Sequence, residues 1–240
     1  MLDNLNPEDV LFIDIETAPQ YSSFEKVPEK FQILWEKRSS HFRNEDQEAG
    51  EVYDRAGIYA EFGRIVCISA GFIVQKMGER LFRVKSFYSE DEKSLLIEFN
   101  DMLDRITSTG RKRLCAHNGL EFDYPYIARR SLINGLKIPK ILDIGGMKPW
   151  DVKDFLLDTM NLWKFGDYKT YTSLELLCAV FNIPTPKDDI DGSQVASVFW
   201  KENDLDRIAR YCEKDVLATA QLLMRYKGEP LIDQDKFESV

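Results

Sequence analysis

Val10-Leu11-Phe12-Ile13-Asp14-Ile15-Glu16-Thr17 decides how this chain is read. Four consecutive apolar residues predict a short buried strand. Side chains two apart on a strand share a face, with Cα atoms about 6.5–7 Å apart. Asp14 and Glu16 therefore point together, and Ile15 points the other way, into the core. Two carboxylates side by side after a buried strand repel unless a cation lies between them, and a hard divalent ion with oxygen ligands is the natural one. Taken alone, the stretch reads equally well as a solvated strand end.

The pattern outward from this strand predicts an α/β domain. Residues 20–62 are polar and charged, with Phe31, Ile33, Leu34 and Trp35 marking a helix, and read as an insertion after the first strand. Residues 64–74 (RIVCISAGFIV) are β-branched and apolar, and residues 81–88 (LFRVKSFY) alternate. With Gly78 in the turn, the two predict a hairpin. Ser89 followed by Glu92 fits a capping box, and Leu95, Leu96, Phe99, Met102, Leu103 and Ile106 recur at helical spacing. Residues 111–117 predict another strand, with a helix beginning near Pro125. Shorter helices are expected at 173–181 and 195–200, and a long one at 204–226. Residues 227–240 read as a polar tail that frays. The expected fold is one domain over residues 1–240, a mixed central sheet of about five strands flanked by helices.

Composition sets limits. The chain has 240 residues, 44% of them hydrophobic, with 15 Phe, 10 Tyr and 4 Trp, which suffices for a core. No run approaches the roughly 20 apolar residues of a membrane helix, and the acidic N-terminus lacks signal-peptide order, so a cytoplasmic protein with no membrane partner is expected. A net charge of −9 argues against broad binding of duplex through basic surface. It leaves room for a nuclease, because carboxylates that hold metals are neutralised when at work. Cys67, Cys115, Cys178 and Cys212 show no zinc or redox spacing and read as reduced buried thiols. His41 and His117 are too few for a multi-histidine metal centre.

Two further stretches carry candidate chemistry. Asn118-Gly119-Leu120-Glu121-Phe122-Asp123 follows a strand, and Asp123 on its own reads as a helix cap. Tyr211 and Asp215 stand four apart on the long helix, on one face and one turn apart. In the order Asp14/Glu16, Asn118…Phe122-Asp123, Tyr211/Asp215, the set resembles the DEDD superfamily of 3′–5′ exonucleases, the DnaQ-like group on the ribonuclease H-like fold. Tyrosine four before the last Asp resembles the DEDDy branch, since a DEDDh enzyme has histidine five before it, where this chain has Arg210. Lys148-Pro149-Trp150, Asp158-Thr159, Leu162-Trp163-Lys164-Phe165-Gly166, residues 187–192 (KDDIDG) and Tyr211-Cys212-Glu213-Lys214-Asp215-Val216 are similar to a stand-alone bacterial family related to the exonuclease domain of family B DNA polymerases. The likeness covers about residues 10–226.

The resemblance implies phosphodiester hydrolysis with two Mg²⁺ or Mn²⁺ ions about 3.5–4 Å apart. It implies that Asp14 bridges both ions, that Glu16 and Asp215 hold the one that activates water, that Asp123 supports the other and that Tyr211 orients the water. A phenol with a pKa near 10 is a poor base at neutral pH, so deprotonation falls to the metal. Phe122 and Leu120 are candidates to stack on or wedge beside the terminal base, though a core role for Phe122 weighs as much. Asn118 is a candidate contact near the scissile phosphate, and Thr17 for the terminal 3′-hydroxyl. Arg129, Arg130, Lys148, Lys164 and Lys187 are candidates for phosphate contacts or simply a solvated face. Asp158 is expected to be structural.

The expected substrate is a single-stranded 3′ end, DNA ahead of RNA. An exoribonuclease shares the chemistry, and the sequence shows no decisive reader of a 2′-hydroxyl. A proofreading or accessory subunit for a separate polymerase or repair protein is the other class. A phosphatase of the haloacid dehalogenase type needs Asp where Glu16 stands. An EF-hand reading of residues 187–192 lacks the terminal Glu.

Overall fold

The computed structural model describes residues 2–76, 78–109, 113–167, 171–184 and 189–240. Its strands are β1 (Val10–Pro19), β2 (Gly63–Lys76), β3 (Glu79–Tyr88), β4 (Arg113–Ala116), β5 (Leu156–Asp158) and β6 (Phe237–Ser239). Its α-helices are α1 (Glu29–Ser39), α2 (Glu92–Thr109), α3 (Asp123–Ile133), α4 (Pro149–Val152), α5 (Thr159–Lys164), α6 (Leu174–Val180), α7 (Val195–Ser197) and α8 (Leu205–Tyr226). They form one six-stranded sheet in the order β5-β4-β1-β2-β3-β6. β1, β2 and β3 run antiparallel in sequence, while β4 lies parallel to β1 and β5 parallel to β4. This is the mixed α/β sheet of a ribonuclease H-like fold.

Alternation along β1 divides the core into two layers. Leu11, Ile13 and Ile15 face α2 and α3, where they meet Leu96, Phe99 and Ile127. Val10 and Phe12 face α8, against Val216, Ala220, Leu223 and Met224. The long helix is pinned by this stripe, each buried aliphatic side chain contributing about 1.5–3 kcal/mol. Asp204 caps its start by accepting from the Arg207 amide at 3.0 Å. The segment between β1 and β2 packs on itself around the fully buried Trp35, with Tyr53, Phe42, Tyr59 and Phe62 set edge-on or tilted about it.

Three local expectations give way to tertiary partners. The residues after Gly228 do not fray: Ile232 is buried, Gln221 exchanges two hydrogen bonds with its backbone (2.7 and 2.9 Å), and β6 pairs with β3 as a sixth strand. Glu92 does not complete a capping box. The Asp91 carboxylate caps α2, and Glu92 lies buried, ion-paired with Arg130 and accepting from the Ile65 amide at 2.7 Å. Arg130 is therefore no groove cation; it also donates to Ala60 O (2.8 Å) and Gln20 Oε1 (3.1 Å), tying α3 to the inserted segment.

Removing one partner of a buried, fully hydrogen-bonded ion pair costs about 3–5 kcal/mol. Arg130→Met is accordingly expected to lower Tm on the order of 10 °C. Calorimetry checks this, and a shift below about 3 °C would mean that the pair is dispensable.

Candidate active site

The site forms where β1 outruns its parallel neighbour. β4 pairs with β1 only over Val10–Phe12, whereas β2 follows β1 on through Pro19. Asp14 and Glu16 continue the face begun by Phe12, beneath α8. Glu16 pairs with Cys67 but Thr17 with Ile65, so Val66 is an extra residue and the register breaks directly after Glu16. Such a bulge re-aims the chain beside a site.

α8 closes the face from above. The Cys212 thiol donates to the Asp14 carboxylate and carbonyl, both at 3.4 Å. Tyr211 and Asp215 line, with Asp14 and His117, a cleft of about 210 Å³ whose other wall is Tyr171, Ser173, Leu174 and Glu175. Tyr211 and Asp215 lie one turn apart on the same face of α8, where burial and then the Asp215 carboxylate raise the Tyr211 phenol's pKa. Asp123 arrives from the other layer. It sits inside the first turn of α3 rather than capping it, and the cap position, Phe122, makes no side-chain bond. Asp123 Oδ1 instead accepts the Ile15 amide at 3.1 Å, just past the end of the β1–β4 ladder. Asp14, Glu16, Asp123, Tyr211 and Asp215 thus converge from three elements.

Convergence has an electrostatic cost. Burial pushes the Asp14 carboxyl well above its ordinary range, and the charges of Asp123 and Asp215 push it further. Burial does the same to Glu16, followed by Asp14 and Asp215. Asp123 is raised to about 7, chiefly by burial, with Asp158 and Asp215 adding and backbone amides opposing. Tyr211 is raised far up by burial and these carboxylates, so it stays a neutral phenol. Ligand atoms of Asp14, Glu16 and Cys212 lie within 4.8 Å of one another. Burial holds the Cys212 thiol protonated, as a donor to Asp14, which leaves an oxygen-rich set suited to a hard divalent ion.

Asp158 holds the second motif in place. Its Oδ1 accepts from the Asn118, Met160 and Asn161 amides and its Oδ2 from Leu120, all at 2.9–3.1 Å. One carboxylate therefore caps α5 and clamps the turn between β4 and α3. Asn118 takes a left-handed φ of 62° there, and its side-chain oxygen is buried without a partner. A β-carbon on Gly119 would meet that of Ala116 at 2.5 Å, so the turn admits only glycine. Both His117 ring nitrogens are engaged, with Thr159 Oγ1 and Thr172 O at 2.9 Å.

The remaining sequence candidates divide. Thr17 is half-buried near Tyr126, whose hydroxyl donates to Gly57 O at 2.7 Å. Leu120 and Phe122 are half-buried against the core, the Phe122 ring 5.3 Å from that of Tyr126. Lys164 lies 3.9 Å from Glu121, and Lys148 sits over the Trp150 ring. Lys187 lies outside the described residues. Cys212 and the cleft wall at Tyr171–Glu175 were not singled out as site residues. Spacing offers a signal for Cys212, three before Asp215 and so on its face of the helix; residues 171–175 show no such period.

Residues 58–239 match a family described as a predicted 3′–5′ exonuclease related to the exonuclease domain of PolB. The match begins after β1, so Asp14 and Glu16 precede it. The chain is 24% identical over 163 residues to a DNA polymerase of Pyrococcus glycovorans, covering 55% of this chain and 20% of the polymerase. It is 28% identical over 127 residues to an uncharacterized protein of Methanocaldococcus jannaschii, covering 52% of this chain and 66% of that protein. A family B DNA polymerase from the archaeon Pyrobaculum calidifontis superposes with a TM-score of 0.54 at 16% identity, over 90% of this chain and 24% of that one. With three quarters of its length matched, the chain belongs to the family of predicted 3′–5′ exonucleases related to the exonuclease domain of PolB.

Proposed function

We propose that this chain is a metal-dependent 3′–5′ exonuclease that hydrolyses single-stranded DNA from the 3′ end. The observation that carries the reading is the acidic cluster: Asp14 and Asp215 line one cleft with Tyr211, Glu16 lies buried beside Asp14, and Asp123 is bonded to the intervening Ile15 amide. Kinship with a polymerase's exonuclease domain favours DNA over RNA, and a polymerase or repair protein as partner. Among the described residues no helix is long and apolar enough to cross a membrane, and a cytoplasmic location belongs to the same proposal.

In this reading the four carboxylates would hold two Mg²⁺ or Mn²⁺ ions, with Asp14 central because it shares the cleft with Asp215 and lies within Coulombic reach of Asp123. When bound, the ions supply the positive charge that lowers the pKa of water and stabilises the leaving oxygen. Tyr211 remains a neutral donor, holding a hydrogen bond toward the water rather than taking its proton. Asp158 fixes the Asn118–Leu120 turn, and Asn118, Thr17, Leu120 and Phe122 are proposed to meet the 3′ nucleotide. Lys187 is proposed for a phosphate.

Asp14→Asn keeps the shape and removes the central charge, and is expected to lower turnover of an end-labelled strand by more than about 100-fold. Tyr211→Phe removes one oriented donor and is expected to lower it about 10²–10³-fold while Mn²⁺ affinity holds. Wild-type turnover by Asp14→Asn would contradict the reading.

The raised carboxyls make metal-free stability depend on pH. For an acid whose folded pKa exceeds the unfolded one, protonation favours the fold. Its stabilising contribution is present at low pH and is lost as pH rises from about 4 through the folded value, about 7 for Asp123. Without metal, Tm should therefore fall across that window, and the gain in Tm on adding Mn²⁺ should grow with pH. Thermal melts with EDTA or Mn²⁺ from pH 5 to pH 8 check this; a Mn²⁺ increment independent of pH would contradict it.

A further inference from the structure

We infer that Phe165, backed by Trp163, is a stacking platform for a base of the bound single strand upstream of its 3′ end. The inference rests on the nuclease reading for the identity of the ligand. Phe165 follows the last residue of α5 in a left-handed conformation (φ 43°, ψ 32°) with its ring 90% exposed. A residue with a β-carbon seldom adopts that backbone, and a bulky apolar ring gains nothing by facing water, so folding alone gives no reason for phenylalanine here.

Its mounting is rigid. Trp163 meets Phe165 edge-on at 6.5 Å and is stacked at 14° on Tyr226 of α8, with Phe181 closing the cluster. Its helix is tied to the turn of the second motif. Asp158, which clamps the Asn118–Leu120 turn, also caps α5. At the other end of that six-residue helix, Lys164 reaches within 3.9 Å of Glu121 in the same turn. Six residues beyond Phe165, Tyr171 lines the cleft beside Asp14 and Asp215 with 69% of its surface exposed.

The charge of the chain favours a base as the occupant. At a net −9, the chain has little long-range attraction for a strand, which favours a contact that does not rest on phosphate charge. Stacking is indifferent to sequence and to salt, and each stacked base changes affinity by about 5- to 100-fold.

The test is binding of a fluorescein-labelled dT12 strand by anisotropy, in EDTA so that no cleavage occurs. Phe165→Gly relieves the backbone and removes the ring, and its Tm is expected to match or exceed wild type. Its Kd for dT12 is expected to rise about 5- to 100-fold. Phe165→Tyr is expected to bind within about twofold of wild type, and the loss in Phe165→Gly to persist between 50 and 200 mM salt. Equal Kd values for Phe165→Gly and wild type would overturn the platform and point to a protein contact at this ring; so would a wild type that does not bind dT12. A wild type that binds but never cleaves with Mn²⁺ would refute the nuclease reading and leave the platform standing.

Discussion

Burial of several carboxylates within reach of one another is the constraint on which the site depends. Asp14 and Glu16 cannot leave one another, because they alternate with Ile13 and Ile15 on a strand held by β2 on one side and β4 at its base. α8 brings Asp215 over them, and α3 brings Asp123 up to the Ile15 amide. Without counter-charge these groups answer burial by retaining protons. A hard divalent cation removes the conflict and turns the same proximity into binding energy. A site that is poor for folding and good for an ion is the mark of function rather than of architecture.

The surrounding structure explains how such a site is tolerated. The two apolar layers on either side of β1 are fixed independently of the acids, by α2 and α3 on one face and the lower half of α8 on the other. Asp158 spends its carboxylate on four amides and so makes the second motif rigid. The Glu92–Arg130 pair fastens the inserted segment to the sheet from behind. Each is a network in which donors meet acceptors, whereas the acidic set gathers like charges.

Legibility in the sequence followed locality. β1, the β2–β3 hairpin and α8 announce themselves through period, because their partners lie on continuous apolar faces. The acids of β1 and the Tyr211/Asp215 pair were readable for the same reason: spacing of two on a strand and four on a helix fixes a shared face. Glu92 satisfied a local capping pattern, but Arg130, far along the chain, claimed it. Asp123 looked like a cap, yet the Ile15 amide took its oxygen. β6 has three residues, too few for a period, and what holds its approach is Gln221 against the Ile232 backbone. Tyr171 reaches the cleft from irregular chain, and Ser173 and Glu175 from the cap and first turn of the short α6, where position along the helix does not reveal a cleft.

The central claim is that the acids are a seat for cations. Isothermal calorimetry with Mn²⁺ tests it without reference to any substrate. The account predicts binding to wild type at millimolar concentration or tighter, approaching two ions per chain, with proton release and loss of most of the heat in Asp14→Asn. Wild type and Asp14→Asn giving the same small, unsaturating heats would contradict it.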